Sequence, residues 1–189
     1  CSSTDIAPML TSEQQTSLLR IARDSIADEL AGAGTPVDVD GFDEPLRRPA
    51  GAFVTLRTRE RHLRGCIGSV FPVAPLCRTV AENAIHAAFR DPRFEPLRGE
   101  ELPAVDLDIS VMGPVLRVRN LDEIVCGRDG LIVSQGPYAG LLLPQVASER
   151  GWDRDTFLSY TCAKAGLDPA AWRAGLVKID RFEAFVFAE

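Results

Sequence analysis

A chain of 189 residues, 46% of them hydrophobic and 25% charged, suits one domain, or two small lobes sharing a core, and has enough apolar material to fold without staples. Its 21 basic and 27 acidic residues give a net charge of −6, and the basic residues form no run or stripe, which argues against nucleic-acid binding because backbone contact needs concentrated positive charge. No stretch approaches the roughly 20 apolar residues that cross a bilayer, and the first residues lack the charged and apolar regions of a signal peptide, so a cytoplasmic protein without membrane contact is expected.

The five cysteines, Cys1, Cys66, Cys77, Cys126 and Cys162, form no CxxC pair and no Cys/His cluster. Neither a disulfide framework nor a metal site is suggested, and no cofactor is expected. Residues 1–9 read as a disordered tail opening on Cys1, which points to trimming, with a lipid-modified N-terminus as the alternative.

Taken in order, Thr11 and Ser12 with Gln14 and Gln15 can form a capping box. Leu18, Leu19, Ile21, Ala22, Ile26, Ala27 and Leu30 then recur at helical spacing, predicting a helix that ends near Gly32 or Gly34. Thr35 to Pro49 reads as an irregular connection, with Phe42 and Leu46 tacking it down. Gly51 to Leu56 has strand composition, and a polar turn from Arg57 to Arg61 leads into LRGCIGSVF, so a hairpin is expected. Pro75 to Phe89 is a helix whose alanines permit close packing on a sheet.

Val105 to Met112 is the most readable strand: Val105, Leu107, Ile109 and Val111 alternate with Asp106, Asp108 and Ser110, which share one face. That polar face is either a solvated exterior or part of a ligand cleft. Leu131 to Ser134 and Leu141 to Leu143 flank a turn from Gln135 to Gly140. A helix from Pro144, a second capped by Asp153, a helical turn around Trp172 and a strand from Leu176 to Phe187 follow. Hairpin, helices and strand thus occur twice, which suggests a structural duplication without a sequence repeat.

One stretch stands apart: LRGCIG, Leu63 to Gly68, a cysteine held between glycines. Glycine weakens a strand and is kept where backbone turns tightly or approaches something closely, so Cys66 is expected to face a cleft.

The chain resembles the AMMECR-one family, whose prokaryotic members are called AmmeMemoRadiSam system protein A. The resemblance rests on GAFVTL (51–56), LRGCIGSV (63–70), AAFRDPRFEPL (87–97), Glu101 with Leu102, DISV (108–111), GRDGLIV (127–133), GLLLPQVA (140–147) and a WD, FL and KAGL series from Trp152 to Leu167, spanning about residue 10 to 189 as one domain of that type. It implies an α+β fold of two unequal lobes, mainly antiparallel sheet with packed helices, with LRGCIG associated with a cleft between them. It also implies Memo-like and radical SAM partner proteins, whereas the family's biochemical activity is not established.

Around this motif several readings stay open. Cys66 is a nucleophile or redox thiol, a ligand-contacting but unreactive thiol, or a packing residue between Gly65 and Gly68. A nucleophile needs a nearby cation or base. In a strand Arg64 would share its face, and could instead hold a ligand carboxylate or phosphate. Neither His62 nor His86 is placed to activate it, leaving Asp91, Asp108 or Glu149 as candidates. In DPRF, Asp91 ends a helix and Arg93 pairs back with a carboxylate, or Arg93 serves as a second anion contact. Gln145, at a strand-to-helix junction, either contacts a ligand or caps the helix. The chain is therefore expected to be an enzyme acting on a small molecule or peptide, or a non-catalytic adaptor.

Overall fold

The computed structural model describes residues 10–34 and 36–189; the expected N-terminal tail and Cys1 lie outside the described residues. The chain divides into two compact units. Among the described residues, one takes in 10–112 together with Phe185–Glu189, and the other Gly113–Ala184.

In the first unit, helix α1 (Ser12–Leu30) starts at the capping box expected from the sequence: the Gln14 N–H donates to Thr11 Oγ1 and the Thr11 N–H to Gln14 Oε1. It buries Leu18, Ile21, Ala22 and Ile26, the apolar stripe of its 3.6-residue period. The connection expected to be irregular contains a 3-10 turn, Val39–Gly41, and one turn of α-helix, α2 (Glu44–Arg47), which sinks Leu46 into the core. Strands β1 (Ala52–Thr58) and β2 (Leu63–Ser69) form the antiparallel hairpin, and β1 also pairs with β3 (Val105–Met112), so β1 is central and β2 lies on its far side from β3. Helix α3 (Leu76–Phe89) begins one residue later than expected because Pro75 is its N-cap.

Strand alternation sorts this three-stranded layer into two faces. Ala52, Val54 and Leu56 of β1 and Leu107, Ile109 and Val111 of β3 are fully buried in one core with Leu18 and Ile26 of α1 and Leu76, Val80 and Ala84 of α3. The opposite, outer face carries Phe53, Thr55 and Arg57 on β1, Cys66 and Gly68 on β2, and Asp106, Asp108 and Ser110 on β3.

In the second unit the hairpin is β5 (Asp129–Gln135) and β6 (Tyr138–Leu142), and β5 also pairs with β7 (Lys178–Ala188). Strand β7 pairs in addition with the short β4 (Leu116–Arg117), and its residues from Phe185 on group with the first unit. Helices α4 (Pro144–Arg150) and α5 (Arg154–Lys164) follow the hairpin, α5 capped by Asp153, whose Oδ1 accepts the Thr156 N–H at 2.8 Å. Leu131, Val133, Phe157, Leu158, Cys162, Trp172 and Ile179 form its core. The expected turn from Gln135 to Gly140 contracts to Gly136 and Pro137, because Tyr138, Ala139 and Gly140 pair with β5. Each unit thus contains the same motif: a hairpin whose first strand also pairs with the strand that follows the helices.

The hairpin glycines are required by helix packing. A Cβ on Gly65 would stand 2.1 Å from Ala87 O of α3, and one on Gly140 2.3 Å from Ala165 N at the end of α5. Because the obstructing atoms are backbone, Gly65→Ala is expected to destabilise the fold by about 1–3 kcal/mol, read as a lower urea midpoint at unchanged slope.

Candidate functional site

In the register of the first unit, Thr55 lies directly between Cys66 on one side and Asp108 on the other, so the three side chains make one row across the outer face. The Thr55 hydroxyl donates to Cys66 Sγ at 3.2 Å. A contact this short fits a non-hydrogen-bonded antiparallel pair, in which side chains stand closer and both main-chain groups of Cys66 point away from β1.

Those outward groups are taken up by the DPRF turn that follows α3. The Cys66 N–H donates to Asp91 Oδ2 at 2.9 Å, and Arg93 Nη2 donates to Cys66 O at 3.3 Å. Asp91 is itself clasped by Arg93, whose Nε and Nη2 lie 2.9 and 2.6 Å from its oxygens and whose backbone N–H adds a third bond. The Arg93 guanidinium, helped by the Cys66 and Arg93 N–H groups, holds the Asp91 carboxyl well below the usual carboxylate range, although burial opposes it. So strong a hold makes Asp91 a poor proton acceptor at neutral pH.

Arg64 faces a different partner. Its Nε and Nη2 reach Glu101 Oε1 and Oε2 at 2.9 and 3.1 Å, and Nη2 also donates to Glu95 O. The side chain is largely buried, and its guanidinium keeps the Glu101 carboxyl below its ordinary value. Phe94 lies against both cations, its ring centre 5.9 Å from Arg64 Cζ and 5.6 Å from Arg93 Cζ.

On β3 the polar face divides. Asp108 and Ser110 are buried, whereas Asp106 is half-exposed. Asp108 Oδ2 accepts from Arg57 Nε at 2.6 Å, and Arg61 Nη2 stands 3.5 Å from both its oxygens. Of the residues singled out by sequence, Arg64, Gly65, Cys66, Gly68, Asp91, Arg93, Asp108 and Ser110 all belong to the first unit. Gln145 belongs to the second, on the first turn of α4, where its Oε1 is buried without a hydrogen-bond partner among the described residues. Gly68 is covered by Phe53, whose ring a Cβ would strike at 2.3 Å.

Sequence reasoning singled out none of Thr55, Arg57 and Glu101 as site residues, although Glu101 stands among the motifs that carry the resemblance. The first two were within reach, since alternation in AFVTLRT places Phe53, Thr55 and Arg57 opposite Ala52, Val54 and Leu56. Among the described residues no group of three His, Cys, Asp or Glu side chains is arranged to hold a metal ion, and no helix is long and apolar enough to cross a membrane.

Removing the Asp91 charge tests the clasp. A carboxylate with a depressed folded-state pKa contributes stability that is fully present above the unfolded value of about 4 and is lost as pH falls below it. Asp91→Asn is expected to cost about 1–3 kcal/mol at pH 7, and the gap to wild type should narrow as the medium is acidified below pH ~4. Denaturant titrations of both proteins across that range measure it, and a gap independent of pH would contradict the clasp.

The family is also evident by comparison. The AMMECR1 family model matches residues 19–187. Protein MJ0810 of Methanocaldococcus jannaschii is 43% identical over 188 residues, covering 96% of this chain and 92% of that one, and a Methanothermobacter thermautotrophicus protein is 43% identical with 97% of each covered. The crystal structure of the uncharacterized protein PH0010 from Pyrococcus horikoshii superposes with a TM-score of 0.87 at 38% identity, over 95% of this chain and 93% of that chain. The chain belongs to the AMMECR1 family, and its fold is the α+β arrangement of helices on antiparallel sheet that the motifs implied.

Proposed function

We propose that the outer face of the β2–β1–β3 layer, around LRGCIG, is a recognition surface for a small-molecule or peptide ligand, and that the protein acts with Memo-like and radical SAM partner proteins. The observation that carries this reading is the row Cys66–Thr55–Asp108. Three polar side chains are lined up opposite the apolar core, with the cysteine's main chain fixed by Asp91 and Arg93. Support for the partners comes from the motif resemblance alone.

Recognition is favoured over covalent chemistry because the nearby groups are already engaged. Asp91 is locked to Arg93, Arg64 to Glu101, and His86 of α3 contacts Arg90 just past the end of that helix at 3.1 Å. Asp91 and His86 are therefore not free to take a proton from the thiol, and the Arg64 guanidinium is committed to a carboxylate rather than to a thiolate. An adaptor role for the same segment has one observation in its favour. Phe71 and Val73, just beyond the motif, are 59% and 82% exposed, and exposed apolar side chains suit a protein partner.

The test is complementation in a host lacking its own copy. Cys66→Ala, with a melting midpoint within about 3 °C of wild type, is expected to lose function, whereas Cys66→Ser, which keeps a polar contact, should retain most of it. Full function in Cys66→Ala would sink the recognition surface. Loss in both variants would transfer the argument to thiol chemistry.

A further inference from the structure

Among the described residues other than glycine, Arg61 alone has a positive φ, +65°. It sits in the β1–β2 turn, where its N–H donates to Thr58 O at 2.8 Å and the Thr58 N–H donates to His62 O at 2.9 Å. The pairing register shifts further along the hairpin, between Leu56 and Arg57, whose partners Gly65 and Leu63 leave Arg64 as the extra residue. This is a three-residue hairpin loop closed by a left-handed residue, a position that favours glycine or asparagine because most side chains crowd the backbone there.

What an arginine gains there is reach. Its guanidinium lies over the outer face, with Nη2 3.5 Å from both Asp108 oxygens and Nη1 3.8 Å from Asp106. A well-made charged hydrogen bond is about 2.7–2.9 Å, and Arg57 already makes one to Asp108 at 2.6 Å. Arg61 therefore adds little hydrogen bonding to Asp108, and its side chain stays 56% exposed with most of its N–H donors unspent. Arg57, on the same carboxylate, commits only its Nε at short range, its Nη1 lying 3.5 Å from Arg61 O. Two guanidinium groups on one carboxylate, each with open donors, offer directed N–H groups suited to a planar or tetrahedral oxyanion.

We infer that Arg61, with Arg57, binds a carboxylate or phosphate group of the ligand, and that the turn keeps its left-handed arginine for that contact. The inference rests on the recognition surface proposed above and adds the chemical class of what it takes. Asp108 holds Arg57 in place, so that it acts as a positioning residue for the pair.

The experiment titrates inorganic phosphate and, separately, acetate into the isotopically labelled full chain while following backbone amide signals. Saturable shifts confined to the turn and the outer face are expected with at least one probe, and which probe binds tighter distinguishes a phosphate from a carboxylate ligand. Arg61→Gly should weaken that binding at least tenfold while leaving the thermal midpoint unchanged or higher, since glycine relieves the backbone. Arg61→Lys, which keeps the charge but loses the fork, should fall between. The inference is overturned if neither probe gives saturable shifts there, if Arg61→Gly binds as wild type does, or if Arg61→Gly lowers the midpoint by more than about 3 °C, which would assign Arg61 to the fold. Because the titration does not involve Cys66, it can succeed where Cys66→Ala retains full function, and fail where that variant loses it.

Discussion

The structure around the motif depends on one carboxylate. Asp91, almost completely buried, accepts the outward N–H of Cys66 and is held by the fork of Arg93, which also reaches Cys66 O. Within the hairpin layer, β2 would otherwise present unpaired main-chain groups, which natural sheets cover or blunt. Here the cover is the Asp91–Arg93 pair in the turn that follows α3, so the segment leaving the helix also anchors the strand. A buried charge is tolerable only when paired and hydrogen-bonded, and Asp91 has both. Because the main chain of Cys66 is pinned, the direction of its side chain is set as well, and the thiol meets Thr55 on the outer face.

A second constraint is steric. Gly65 and Gly140 occupy the second strand of their respective hairpins, and each lies under the C-terminal end of a helix, at Ala87 and Ala165. The two units share this contact along with their strand pairing, yet no periodic sequence repeat accompanies it. What recurs is a requirement on backbone distance, and one glycine with one small residue opposite satisfies it, leaving the rest of each unit free to differ. The glycine preceding Cys66 is therefore explained by helix packing, and Gly68 by the Phe53 ring, so the glycines themselves are not signs of ligand approach.

That division marks what the sequence made legible. Helices α1 and α3 and strand β3 were readable because their periodicities are long and their caps local. The motif was readable because a cysteine between glycines is uncommon. The partners of its side chains were not, since Glu101 lies 37 positions from Arg64 and a one-dimensional pattern carries no information about such a pairing. The polar face of β3 was recognised as one face, but not its split into buried Asp108 and half-exposed Asp106, nor the diagonal reach of Arg57, which stands opposite Asp106, to Asp108. Arg61 was hidden for another reason. A left-handed arginine has no compositional signature, and a turn rich in charge reads as solvated whether or not its backbone is strained.

The charges near the motif are arranged in closed pairs: Arg57 with Asp108, Arg64 with Glu101, Arg93 with Asp91. Such pairs cancel at a distance, so in a chain of net charge −6 the face has no strong field with which to steer an anion, and exposed charges are screened beyond about 8–10 Å in any case. Attraction must then come from donors left over after pairing, which act only at contact. A guanidinium fork selects by direction as well as charge, so a surface built this way discriminates by the geometry of the oxyanion at the cost of association rate. Beside these pairs stands Arg61, whose carboxylate contacts are all long, so on the proposed reading the strained turn, rather than the cysteine alone, is the element that sets what the surface accepts.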